Sequence, residues 1–124
     1  MIRDIKAEVT LTIPQTGDTE YVMRLVSNAE MEAITAAGKS VARAYVSSGG
    51  HPEDAELARS LRENMNENLA RSIVAIRNVR EAGDEITDRA KIVDVLRDLT
   101  PAAWNVLTAI WAGDVELSAY EKKA

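Results

Sequence analysis

The chain has 124 residues, 46% of them hydrophobic, and a formal net charge of −5 at pH 7. This size and composition are typical of a single globular domain, residues 1–124, with a modest hydrophobic core. The acidic balance argues against nucleic acid or an anionic membrane as partner, and the absence of cysteine excludes disulfides and thiolate metal sites. Because the sequence has no signal-peptide pattern and no apolar run of membrane-spanning length, we expect a soluble, cytoplasmic protein.

The amino-terminal segment alternates strictly between apolar and polar residues from Ile5 to Ile13. Pro14 and the Gly17-Asp18 pair are turn signals, and a second strand-like run follows at residues 21–26. This pattern predicts a β-hairpin at about residues 4–26. A lone hairpin is marginally stable in water, so it must pack on the chain's own helices or on a neighbour's sheet. Its free edge also allows a homo-oligomer by strand pairing.

The remainder of the chain has the periodicity of helices. Ser27 to Glu30 forms a capping box, which predicts a first helix at about residues 28–47. Its apolar stripe consists of Met31, Ile34, Val41 and Tyr45. The Ser-Gly-Gly-His-Pro segment at residues 48–52 breaks the helix and is the clearest internal hinge.

The second predicted helix starts at Pro52 and runs to Glu81 or Ala82, before Gly83. In its first part an apolar residue occurs at every fourth position, and two more apolar residues continue the same helix face. The first group is Leu57, Leu61, Met65, Leu69 and Ile73, and the second is Ile76 and Val79. A break at the asparagine-rich residues 64–68 is the alternative, since Asn is a weak helix former.

Two shorter helices and a tail complete the pattern. Thr87 is the expected cap of the third helix, and Thr100-Pro101 begins the fourth, which ends at Gly113. Residues 118–121 predict a short terminal turn that frays. The expected fold is therefore α+β, with the hairpin followed by a mostly helical bundle of about four helices over residues 28–113 and a short carboxyl-terminal tail.

No residue pattern indicates catalysis or a bound cofactor. His51, the single histidine, lies in the loop at residues 48–52 with no nucleophile motif beside it. The acidic groups at residues 53–56 and 84–88 lack the oxygen spacing and glycine of a calcium loop, and Gly38-Lys39-Ser40 lacks the first glycine of a phosphate loop. We therefore predict a non-enzymatic protein without catalytic, cofactor or metal residues.

Two groups of apolar residues are candidates for contact with a partner protein. Trp104 and Trp111 lie seven residues apart on one helix face and are either core residues or exposed anchors. Leu57, Leu61 and Met65 belong to the stripe of the second helix, which is either core or a docking surface. These five residues are the predicted partner-binding set.

The order of segments resembles a known protein family. The matching segments are Leu11-Thr12-Ile13-Pro14, the turn Thr16-Gly17, Met23-Arg24-Leu25-Val26-Ser27-Asn28-Ala29-Glu30, and the helical residues 92–104. In this layout the chain resembles the small tail assembly chaperones of tailed bacteriophages, including those assigned to the baseplate hub of contractile tails. The resemblance implies a non-enzymatic protein in the host cytoplasm that binds the tape-measure protein or baseplate hub components during tail assembly.

Three alternatives remain open from the sequence. A structural virion protein, such as a baseplate or tail-completion subunit, would use the same surfaces and remain in the particle. A small acidic inhibitor of a host nucleic-acid enzyme would gather its carboxylates on one face, whereas acids and bases are mixed along these helices. An enzyme with an unusual carboxylate site would need Glu53, Asp54 or Glu56 for its activity.

Overall fold

The computed structural model describes residues 8–122 of the chain. Over this range the fold is α+β, with four strands and four α-helices. In chain order they are β1 (Glu8–Leu11), β2 (Glu20–Arg24), α1 (Asn28–Ser47), α2 (Ala55–Ser72), β3 (Ile73–Arg77), β4 (Glu85–Ile86), α3 (Arg89–Asp98) and α4 (Pro101–Ala112). The predicted hairpin is therefore present, although Ile5 and Ala7 of its first strand lie outside the described residues.

The described strands form one antiparallel sheet in the order β1-β2-β3-β4. The alternation of the sequence decides its two faces. The core face carries the paired apolar residues, with Leu11 opposite Tyr21, Tyr21 opposite Ile76, and Ile76 opposite Ile86. A register shift between Val22 and Met23 on β2 interrupts the pairing with β3.

The opposite face of the sheet carries cross-strand ion pairs. Arg24 contacts Glu8 at 3.3 Å, and Arg77 lies 2.9 Å from Glu85 and 4.0 Å from Glu20. These charges occupy polar positions of the alternating strands, whereas Val22 and Ala75 on the same face are 6% and 3% exposed. Exposed pairs of this kind contribute about 0–1 kcal/mol each and fix strand register more than they add stability.

The predicted second helix is wrong beyond Ser72, where α2 ends and the chain enters β3. Ile73 and Ile76 follow Leu69 at spacings of four and three residues, which suit a helix, so periodicity alone extends the helix through them. The segment Ile73-Val74-Ala75-Ile76 is nevertheless a short apolar run rich in β-branched residues, which suits a buried strand. β4 was likewise not predicted, because it is only two residues long.

The helix boundaries follow their caps. The Ser27 hydroxyl accepts the Glu30 N–H at 3.1 Å and begins α1, and Thr100 accepts the Ala103 N–H at 3.2 Å before Pro101 begins α4. Gly113 ends α4 in the left-handed conformation, at φ 82°. α3 is capped by Asp88, which accepts the Lys91 N–H, one residue after the predicted Thr87.

The core lies on one face of the sheet, beneath α2, α3 and α4. Its largest fully buried side chains are Trp111, Tyr21, Leu11, Ile13, Met23, Leu69, Ile76, Ile92, Leu96, Leu107, Ile110 and Asn66. The fully buried aromatic residues are therefore Trp111 and Tyr21, and branched aliphatic residues fill most of the rest of the core.

The tail is docked on the sheet, whereas the sequence predicted a fraying turn. After a short 3₁₀ turn at Leu117–Ala119, Glu121 forms an antiparallel bridge with Leu11. The Thr12 N–H donates to the Tyr120 carbonyl at 2.9 Å, and the Lys122 N–H donates to the Thr10 carbonyl at 2.7 Å. The carboxyl-terminal segment thus covers the outer edge of β1 at these residues.

Candidate interaction surface

Helices α1 and α2 form a helical hairpin, residues 28–72, which we call the arm. It is inserted between β2 and β3, which are neighbours in the sheet. Within the arm α1 packs mainly on α2. None of the twenty residues of α1 is buried, whereas four of the ten residues of α3 are. The arm therefore presents a helix that its own chain leaves largely uncovered.

The side of α1 that faces α2 is only partly covered. Met31, Ile34 and Tyr45 are half-buried, and Met31 and Ile34 pack against the core. The sequence also assigned Val41 to this stripe, but it is 39% exposed. Val41 and Val46 are two of the three large hydrophobic residues classed as exposed between residues 8 and 122.

The opposite side of α1 is a stripe of small residues, which we call the outer face. Successive residues of a helix are rotated by about 100°, which places the members of this stripe away from α2. The outer face consists of Ala29, Ala33, Ala36, Ser40 and Ala44, all exposed. A charged flank of Glu32, Lys39 and Arg43 borders it on one side, and an apolar flank of Ala37 and Val41 on the other.

Three of the predicted partner-binding residues belong to the apolar stripe of α2. Leu57 is 4% exposed, and Leu61 and Met65 are half-buried. Glu63 and Asn66 on the same helix reach α3 and α4, which turns Leu57 and Leu61 toward α1, whereas Met65 packs against the core. The apolar stripe of α2 is thus largely covered by its own chain.

The two tryptophans tie α4 to α2. Trp111 is 1% exposed, and its indole N–H donates to the Ser72 hydroxyl at 2.9 Å. Trp104 is half-buried and donates to the Asn66 side-chain oxygen at 2.7 Å. Trp111 and Leu57 thus offer no surface in this conformation, and the predicted partner contact narrows to Leu61, Met65 and Trp104.

Asn66 is the buried polar residue at the centre of this contact. Its side chain has no solvent exposure, and its Nδ2 has no partner in hydrogen-bonding geometry among the described residues. Next to it, Glu63 accepts a fork of hydrogen bonds from Arg97, at 3.0 Å from Nε and 2.7 Å from Nη2. These bonds, and to a smaller extent the nearby Asn66 amide, lower the pKa of the Glu63 carboxyl.

The tip of the arm is closed by a tyrosine–carboxylate hydrogen bond. The Tyr45 hydroxyl donates to Asp54 Oδ2 at 2.6 Å, and the His51 N–H donates to the same oxygen at 3.1 Å. The bond to Asp54 raises the pKa of Tyr45 to about 12, and it lowers the pKa of Asp54. A Cβ on Gly50 would lie 2.2 Å from the Tyr45 ring, so glycine is required for this closure.

Other features of the described residues give no indication of a chemical site. A shallow cavity of about 480 Å³ lies between the two hairpin turns, with Asp18, Glu20 and Glu81 facing Arg80 and Lys122. Its charges are of both signs, and Lys122 is already paired with Glu20. No cluster of three metal-binding side chains and no helix long and apolar enough to cross a membrane occurs among residues 8–122.

Comparison of the chain with protein-family models, with curated proteins and with solved structures finds no match. Sequence analysis placed the partner-binding residues on α2 and α4 and missed the outer face of α1. The signal was present, because Ala29, Ala33, Ala36 and Ala44 recur at helical spacing away from the half-buried stripe.

Proposed function

We propose that this protein is a non-enzymatic protein-binding module that presents α1 to a helical segment of a partner. The observation that carries the proposal is the exposure of α1, a helix of twenty residues without a single buried one. In proteins most of the stability of a helix comes from tertiary packing of its apolar face. A partner that covers α1 would supply the packing that the chain itself leaves out.

The chemistry of the outer face suits a helical partner. Alanine and serine side chains are short, so a second helix can approach at the lower end of the usual interaxial range of about 8–10 Å. Val41 and Val46 add exposed apolar surface beside this stripe. Recognition of this kind relies on close packing along one helix face, with charged residues at the border to select the partner.

We further propose that the module is a phage tail or baseplate assembly chaperone acting in the host cytoplasm. Its partner would be the tape-measure protein or a baseplate hub component. The layout of the sequence supports this proposal, and so does the arm, because a tape-measure protein is a long helical chain with apolar faces that need cover before assembly. A structural virion subunit would use the same face but remain in the finished particle.

Affinity capture from phage-producing cells tests this proposal. The tagged chain is compared with Ala33→Arg, which places a long charged side chain on the outer face, and with the control Ser60→Arg on the exposed side of α2. We expect the chain and Ser60→Arg to retain a tape-measure or hub protein, identified by mass spectrometry, and Ala33→Arg to lose it while keeping its circular dichroism spectrum.

The same experiment separates the rivals. Recovery of the protein from purified particles would favour the structural subunit over the chaperone. Capture of a host nucleic-acid enzyme in place of a tail protein would overturn the assembly role. Equal capture by Ala33→Arg and the unmodified chain would show that the partner uses another surface, with Leu61, Met65 and Trp104 as the next residues to test.

A further inference from the structure

We propose that the outer face of α1 also pairs with the same face of a second copy of this chain, with the two helices antiparallel. The inference goes beyond the proposed function, because it concerns the purified protein with no other partner present. It rests on the distribution of charge along α1 together with the exposure of its small residues.

The charged flank of α1 changes sign along the helix. Glu32 lies near its amino end, and Lys39 and Arg43 lie in its carboxyl-terminal half. None of these three side chains forms an ion pair or side-chain hydrogen bond within residues 8–122. They are therefore available to a second molecule that places basic residues beside Glu32 and acidic residues beside Lys39 and Arg43.

A second α1 that runs antiparallel meets this requirement. When two identical helices pack antiparallel about a two-fold axis, each flank lies against the same flank of the other copy. Glu32 then faces Lys39 and Arg43 of the second copy, and the reciprocal pairs form on the other side of the axis. A parallel pair about a two-fold axis would instead set the charged flank of each copy against the apolar flank of the other, which leaves Glu32, Lys39 and Arg43 without charged partners.

The small residues of the outer face fall where this arrangement needs them. The charge pairing places the two-fold axis beside Ala36 and Ala37 and sets Ala29 opposite Ala44 of the second copy. Alanine at these positions allows the two backbones to approach closely along the whole contact. On the remaining flank Ala37 and Val41 meet the same flank of the partner copy, and the charged residue on this side, Glu30, is exposed near the amino end of the helix.

The size of the contact indicates a weak dimer. The outer face and its flanks supply ten residues, whereas a standard stable interface uses about 20–30 per side. We therefore expect a dissociation constant in the micromolar to millimolar range. A helical partner would displace the second copy from the same face, so each molecule is bound either to a second copy or to that partner.

Cysteine cross-linking tests the arrangement, since the natural chain contains no cysteine. Four purified samples are oxidised: Ala36→Cys, Ala29→Cys, an equimolar mixture of Ala29→Cys with Ala44→Cys, and the α2 control Ser60→Cys. We expect a high yield of disulfide-linked dimer from Ala36→Cys and of linked heterodimer from the mixture. The yield from Ala29→Cys alone and from Ser60→Cys should be much lower. Cross-linking of Ala29→Cys alone, or no yield above Ser60→Cys at any position, would overturn the proposal.

A charge swap gives an independent readout by sedimentation velocity over a concentration series. Glu32→Lys and Arg43→Glu each place like charges together and should weaken self-association several-fold. The triple variant Glu32→Lys/Lys39→Glu/Arg43→Glu reverses the whole charged flank, restores opposite charges across the axis and should recover association. Glu67→Lys on the exposed side of α2 is the matched control. Failure of the triple variant to recover would contradict the antiparallel pairing, whatever the outcome of the capture experiment.

Discussion

Helix α1 of the arm and helix α3 of the body, which comprises the described residues outside 28–72, have similar hydrophobic contents but opposite degrees of burial. Eleven of the twenty residues of α1 and five of the ten residues of α3 are hydrophobic. Four residues of α3 are buried and none of α1 is. Apart from Met31 and Ile34, which pack against the core, the apolar residues of α1 therefore contribute little to the core of their own chain, which is the basis for proposing an interface with another molecule.

The largest contrast between the two regions should come from truncating one buried and one exposed side chain. Trp111→Ala in the body removes a side chain that is 1% exposed, and large aromatic-to-alanine changes in a core cost about 3–5 kcal/mol. Val46→Ala on α1 removes a side chain that is 45% exposed, and we expect a change within about 0.5 kcal/mol. Urea denaturation measures both. Equal losses would contradict the division into body and arm.

The next effect concerns the polar contact where the arm joins the body. Trp104→Phe removes the donor to Asn66 Oδ1 and leaves a fully buried amide without a hydrogen bond, which costs about 1–3 kcal/mol. In the double variant Trp104→Phe/Asn66→Leu both polar partners are gone, so part of this loss should be recovered. Thermal unfolding of the single and double variants checks the coupling; a double variant no more stable than Trp104→Phe would argue against it.

A smaller change, of opposite sign, is expected inside the arm. Gly38 lies within α1, and a Cβ at this position would meet no atom within 4 Å. Gly38→Ala should therefore stabilise the helix by about 0.4–1 kcal/mol, because alanine reduces the freedom of the unfolded chain and favours helix. Circular dichroism during thermal unfolding measures this gain. A loss of stability would mean that α1 packs more closely than the described contacts indicate.

The smallest effect is a titration confined to the tip of the arm. Because the pKa of Tyr45 is raised from 10.0 to about 12, the Tyr45–Asp54 bond contributes fully below pH 10 and is lost as pH rises toward 12. Because the pKa of Asp54 is lowered from 3.8, the same bond weakens as pH falls below that value.

The variant Asp54→Asn tests the cause of this shift. Without the carboxylate, the pKa of Tyr45 should fall toward 10.0, which NMR of the tyrosine ring carbons can follow. His51→Ala is the control, since it keeps the backbone N–H that donates to Asp54. An unchanged Tyr45 titration in Asp54→Asn would show that the hydrogen bond does not hold the tip closed.

The sequence predicted those parts of the fold that local chemistry determines. Strict alternation gave the hairpin, and the side chains of Ser27 and Thr100 gave the starts of α1 and α4. The switch from α2 to β3 was missed because Ile73 and Ile76 fit a helical stripe equally well. Pairing with β2, a contact between residues far apart in the chain, decides in favour of the strand.

The candidate surface was harder to predict because burial depends on the whole fold. The sequence gives the apolar stripe of α1 but not what covers it, and Val41 is exposed although it extends that stripe. Leu57 and Trp111 were predicted as partner residues on apolar character alone. Their burial follows from α1 lying over α2 and from the Trp111–Ser72 hydrogen bond, neither of which a periodic pattern reveals.

Native-state hydrogen exchange of the purified protein at low concentration tests the division between body and arm most directly. The account predicts that amides of α1 open with a free energy clearly below that of amides in β2 and β3, because a helix covered on one side opens without the core. Gly38→Ala should raise the protection of α1 and leave that of β2 and β3 unchanged. Opening of α1 at the same free energy as β2 and β3, in a single cooperative unit, would contradict the claim that α1 opens independently of the core.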